Sequence, residues 1–169
     1  MGFGKAFGFS ILAFIGINFA FFLLAFGVEG ELMAYFASIA ALPSQILGLL
    51  LGPIVWGQFP LVMTSEFASW FFSPIAAGDI ILFIGFIVAP IIAAFLAGRF
   101  GENKIQVFFA WFTTVMICAA VLAIWGSIEM AMMGAPLFAI LTQILGSISI
   151  GLVYALAYGC ISLLLMREK

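Results

Sequence analysis

No histidine occurs in the 169 residues, and five basic and seven acidic side chains are all the formal charge there is. Without histidine, the side chain best suited to general-base and metal work near neutral pH is missing. The two cysteines, Cys118 and Cys160, lie in apolar runs with no Cys-x-x-Cys pair and no thiolate-stabilising cation. They read as small buried hydrophobes, and a disulfide scaffold is excluded. Charged residues make up 7% of the chain, against about 25% in soluble domains. So few charges cannot cover a globular surface with water-loving groups, keep a chain disordered, or bind nucleic-acid phosphates. The strict polar alternation of a membrane β-barrel is absent as well. No Gly-rich phosphate loop, serine nucleophile elbow or pair of carboxylates at helical spacing occurs. The sequence therefore reads as non-enzymatic, with no cofactor and no metal.

What fills the chain is apolar: 67% hydrophobic residues, 17% aromatic, and a mean hydropathy of +1.38. That composition indicates an all-α polytopic membrane protein, a bundle forming one transmembrane domain over 1–169. About 20 apolar residues cross the hydrocarbon core, and the charges divide the sequence into runs at 6–28, 33–56, 58–78, 80–97, 106–126 and 135–166. The first, fourth, fifth and sixth are plain spans. Run 33–56 is interrupted by Pro43 and Pro53, and run 58–78, with Pro60, Glu66 and Pro74, is the doubtful crossing. The first run is too long for a signal-peptide core and is expected to remain as an uncleaved helix.

The basic residues cluster in three places: Lys5, the Arg99/Lys104 loop, and Arg167/Lys169. Two plain spans separate the last two clusters, which puts both on one side, cytoplasmic by the bias of Lys and Arg. If Lys5 joins them, residues 30–78 cross an even number of times. The expectation is six helices with both ends cytoplasmic, in the plasma membrane. The alternatives are five helices, or four plus a re-entrant segment. With six helices, size and topology are similar to the substrate-binding components of energy-coupling-factor vitamin transporters, an analogy of architecture alone.

Helices in lipid associate through close backbone approach, which small residues four apart supply. The ladders here are Ser44/Gly48/Gly52, Gly85/Ala89/Ala93/Ala97, Ser147/Gly151/Ala155/Gly159 and the short Gly16/Ala20. Packing within the chain is their first use, and docking of a partner the second. Pro90 lies inside its span, where it is expected to free a carbonyl and bend the helix. Residues 5–48 can also be laid on 104–146 as a weak internal repeat, with Gln45-Ile46-Leu47-Gly48 matching Gln143-Ile144-Leu145-Gly146.

Ionisable groups inside a membrane are costly, about 2.5–3.5 kcal/mol at a helix centre on insertion scales, which makes them functional candidates. Glu66 is the candidate ion site, set against a plain polar face formed by Thr64-Ser65-Glu66. Asn18 and Gln143 are candidate interhelical hydrogen-bonders or lining groups. Asp79 is expected to N-cap the fourth span, and Glu129 to lie in a connection over 127–134. Glu29 and Glu31 form an outer acidic rim. Such a sparse, mostly uncharged set suits a transport-type protein, either a small solute-binding or a conducting unit. The alternative is a structural or assembly subunit without its own substrate. Expected partners are the lipid bilayer and other membrane subunits or further copies of the chain, and no nucleic acid.

Overall fold

Glycine ends two of the long helices in the same way. The computed structural model describes residues 2–41, 45–55 and 76–165, and α1 (Gly2–Glu29) stops at Gly30, whose φ is +74°. The Gly30 N–H donates to the Gly27 carbonyl (3.2 Å) and the Glu31 N–H to the Phe26 carbonyl (3.0 Å). This paired closure satisfies carbonyls that a helix end leaves open, and it needs a residue without Cβ at the left-handed position. Gly134, also at φ +74°, ends α5 (Lys104–Met132) through bonds from Gly134 to Ala131 and from Ala135 to Met130.

Between these lie α2 (Leu32–Ala41), α3 (Gln45–Val55) and α4 (Ala77–Phe100), and α6 (Leu137–Leu164) completes the series. A turn over 101–103 joins α4 to α5. Asn103 caps α5 by accepting from the Gln106 N–H at 2.8 Å. Gly101 makes the turn tight, because a Cβ there would collide with Val107.

Among the described residues, four helices are long and apolar enough to cross a membrane: α1, α4, α5 and α6. They coincide with the four plain spans of the sequence. At 1.5 Å per residue, α1 is about 42 Å long, more than the roughly 30 Å hydrocarbon core. The 33–56 run differs from a continuous helix. Its described residues form α2 and α3, of 10 and 11 residues. Each is about 15 Å long and too short to cross alone. Backbone dihedrals break inside α3 at Leu51 (φ −120°, ψ +20°). Pro53, two residues on, has no N–H for the Leu49 carbonyl, which accounts for the break.

Helix directions follow from side-chain contacts. Phe9 of α1 stacks on Phe100 of α4 (4.4 Å between ring centroids), while Glu29 of α1 meets Gly78 of α4. These helices therefore run antiparallel. Gly2 lies against Glu102 and Gln106, and Phe14 against Trp111, so α1 and α5 run parallel. Gly126 faces Gln143 and Gly159 faces Phe108, so α6 returns antiparallel to α5. The chain consequently leaves α1 and re-enters at α4 on the same end of the bundle. Lys5, Arg99, Lys104 and the end of α6 share the opposite end.

Polarity is distributed as lipid surroundings require. Outward faces carry Leu12, Leu24, Met33, Leu137, Phe138 and Leu164, while Ser10, Asn18, Thr114, Ser147 and Ser162 are buried. The innermost helix is α5, half of whose most apolar window is enclosed. Its buried face (Val107, Ala110, Trp111, Thr114, Val115, Cys118, Ala119, Leu122, Ala123) meets α1, α3, α4 and α6.

The second helices of the weak internal repeat differ in length. Both α1 and α5 end in a glycine closure, but α2 has 10 residues where α6 has 28.

Candidate functional site

Two of the small-residue ladders, and the described part of a third whose Ser44 lies outside the described residues, are seams between helices of the chain. Gly85, Ala89, Ala93 and Ala97 are all buried on α4, where a Cβ on Gly85 would lie 2.5 Å from the Phe21 Cβ of α1. Ser147, Gly151, Ala155 and Gly159 are likewise buried on α6. A Cβ on Gly151 would stand 2.5 Å from the Ala119 Cβ of α5, and one on Gly159 2.9 Å from Phe108. Gly48 and Gly52 of α3 are buried too, and a Cβ on Gly52 would sit 2.6 Å from the Phe86 ring. Gly16 and Ala20 point outward, and nothing lies within 4 Å of a Cβ on Gly16.

The central feature is the α2–α3 pair. Tyr35 of α2 donates its hydroxyl to the Gln45 carbonyl at 2.6 Å, across ten residues of chain. Two collinear helices would hold those positions about 15 Å apart, so α3 folds back toward α2. Ser38 Oγ donates to the Tyr35 carbonyl (2.7 Å) and touches the Gln45 side-chain amide. One hydroxyl proton serves one acceptor, so the Gln45 amide is best oriented with its NH2 toward Ser38. The Tyr35 ring packs on Phe22 and Phe26 of α1, with centroids 4.6 and 4.7 Å away. From this polar junction α3 enters the bundle and touches each of the four long helices. Leu49, Leu51 and Ile54 are buried there.

Below the junction, three buried polar atoms have no hydrogen-bond partner among the described residues: Ser10 Oγ, Asn18 Oδ1 and Trp111 Nε1. Phe14 links them. Ser10, Phe14 and Asn18 follow each other on the buried stripe of α1. Trp111 meets Phe14 edge-on at 6.1 Å and Tyr158 at the same distance, and Tyr158 stacks on Tyr154. Asn18 Nδ2 donates to the Phe14 carbonyl of its own helix at 2.9 Å, so the amide makes no bond between helices among the described residues. Thr114 similarly bonds the Ala110 carbonyl.

Gln143 is exposed on α6, beside Gly126. It does not join Asn18, because α1 and α6 are not in contact. Glu66 lies outside the described residues.

Two expectations for the acidic residues are corrected. Ala76, not Asp79, is the N-cap of α4, and Asp79 sits exposed in the first turn without a capping bond. The acceptor comes from another helix: Glu29 Oε1 takes the Gly78 N–H at 2.9 Å. Gly78 leaves the room, since a Cβ there would collide with the Glu29 carboxylate. Sequence reading missed this pair because its members are 49 residues apart. The glycine before Asp79 was the available signal. Glu129, expected in a connection, lies within α5, which runs on to Met132.

The charges thus separate by end. Glu29, Glu31, Asp79 and Glu129 occupy one end, and Lys5, Arg99 and Lys104 the other, with Glu102 beside them. Among the described residues, no group of three or more Cys, Asp or Glu side chains is placed to hold a metal ion. No protein-family model matches this chain, and neither a curated protein nor a solved structure does.

Proposed function

We propose that the chain is a small transport-type unit of the plasma membrane, non-enzymatic, that binds or conducts a neutral solute within a larger membrane assembly. One observation carries this reading: α3, half a span long and broken at Leu51, is inserted among four spanning helices. Interrupted helices at membrane depth are tolerated where protein or a cavity satisfies their backbone, and in transporters they build the substrate site. The unpaired Ser10 Oγ, Asn18 Oδ1 and Trp111 Nε1 add one donor, one acceptor and one group that is either. None of them is ionisable in the working pH range, which is why the solute is taken as neutral. The basic end, with Lys5, Arg99 and Lys104, is assigned to the cytoplasm by the Lys/Arg bias. The C-terminus goes with it, and residues 30–76, which begin and end on the other side, make two crossings or none.

A second reading, an assembly subunit without its own substrate, is favoured by a different observation. The outward face of α1 carries Gly4, Gly8 and Gly16, with open space beyond each. That is the kind of surface on which another membrane helix packs closely.

Native mass spectrometry of the mildly solubilised protein separates the two. A monomer or homo-oligomer that keeps a small molecule supports transport, and Gly52→Val, which drives a side chain into Phe86 and displaces α3, then loses that molecule. A fixed assembly with other subunits and no small molecule overturns transport in favour of the subunit.

A further inference from the structure

We propose that the basic end of the bundle holds a phospholipid with an anionic headgroup, seated over the seam between α1 and α4. Three cations from separate parts of the chain lie at that end. Lys5 stands one turn from Phe9 on α1, and Phe9 stacks on Phe100 of α4 at 4.4 Å, beside Arg99. Lys104 opens α5 across the turn over 101–103. All three are exposed. Glu102, the described carboxylate at this end, lies over Gly2.

The surface beneath the cations defines the occupant. Phe9 is 46% exposed although stacked, Leu12 on the same face of α1 is 70% exposed, and Phe95, one turn before Arg99 on α4, is 39% exposed. Lys5 and Arg99, each one turn from an exposed apolar side chain of the seam, with Lys104 at the same end, fit a molecule that is anionic at one end and hydrocarbon at the other. They do not fit a free anion, which would gain nothing from the rings. Each Lys or Arg near a membrane surface attracts acidic lipid by roughly 1 kcal/mol, about fivefold in affinity. Three cations at one end are therefore expected to select an anionic over a zwitterionic lipid by one to two orders of magnitude.

The test is lipid retention by the full-length protein in mild detergent, read by native mass spectrometry against equimolar phosphatidylglycerol and phosphatidylcholine. Wild type is expected to keep phosphatidylglycerol at least about tenfold over phosphatidylcholine. Lys5→Gln/Arg99→Gln/Lys104→Gln is expected to bring that ratio within about twofold, and Lys5→Arg/Lys104→Arg to preserve it. Each single glutamine variant should lower the ratio severalfold, which keeps the test decisive if the triple variant fails to fold. Equal retention of both lipids by wild type, or an unchanged preference in the glutamine variants, overturns the proposal. Free glycerol phosphate is expected to leave no adduct, and retention equal to the lipid's would show that the apolar seam plays no part.

Discussion

The Glu29–Gly78 bond joins the two points where residues 30–76 leave and rejoin the bundle, and its loss should loosen that whole end. A helix N-terminus carries unsatisfied N–H groups and about half a positive charge. In α4 the N-cap residue, Ala76, has no side chain able to serve them. Glu29 supplies both an acceptor and a charge from α1. Replacing a capping side chain by alanine costs about 0.5–2 kcal/mol, and the charge–dipole contribution is roughly 0.3–1 kcal/mol, more where partly buried. The bond is part-buried, so Glu29→Ala is expected to destabilise by about 1–2 kcal/mol. Glu29→Gln keeps an acceptor oxygen and should lose no more than about half of that. The coupling is the sharper measurement. Gly78→Ala would push the carboxylate away, so it removes the same bond from the other side. In a double-mutant cycle followed by reversible denaturation in mixed micelles, Gly78→Ala should cost much less when residue 29 is already alanine. Residues in contact show such non-additivity at about 0.5–3 kcal/mol. Strictly additive effects of the two changes would refute a trans cap and reduce Glu29 to a solvated rim charge.

Three other outcomes follow from the same contacts. Gly151→Val and Gly85→Val should each destabilise by about 1–3 kcal/mol or more through overpacking, while Gly16→Val, which meets open space, should leave the monomer's stability nearly unchanged in the same denaturation assay. Single cysteines placed at Lys5 or Lys104 in a background lacking Cys118 and Cys160 should resist a membrane-impermeant maleimide added to whole cells. Those placed at Glu31 or Ala135 should react, and labelling of positions from both groups would refute the two-ended arrangement. Trp111→Phe removes an unpaired buried N–H worth about 1–3 kcal/mol and leaves roughly 40 Å³ unfilled, which costs about 1 kcal/mol. It should be neutral or stabilising in the purified, ligand-free protein. A loss of 2 kcal/mol or more would mean that Nε1 has a partner in the resting protein.

Why some of this was legible in the sequence and some was not has a physical pattern. Spans were readable because length and hydropathy are local properties: the four plain runs became α1, α4, α5 and α6. Each helix extends a few residues beyond its run or, for α6, stops a little short of it. The charges used as boundaries, Lys104 and Glu129 among them, are tolerated within helical ends that project past the hydrocarbon. Small residues at four-residue spacing were also readable, but only as faces. Which face met which, Gly85 with Phe21 and Gly151 with Ala119, depends on helix directions that no spacing encodes. Glycine closures at Gly30 and Gly134 carry a local signature, a glycine just past an apolar run, and could have corrected the end of α5 in advance. The interruption of run 33–56 was signalled by Pro43 and Pro53, yet the inward course of α3 was not, because hydropathy is the same for an apolar residue facing lipid and one facing a neighbouring helix. That degeneracy also explains the candidate site. Asn18 could be named as a polar residue in mid-span, but its company of Ser10, Phe14 and Trp111 arises from two helices nearly a hundred residues apart. In a chain this apolar, sequence shows which side chains are unusual, and only packing shows which of them are left without a partner.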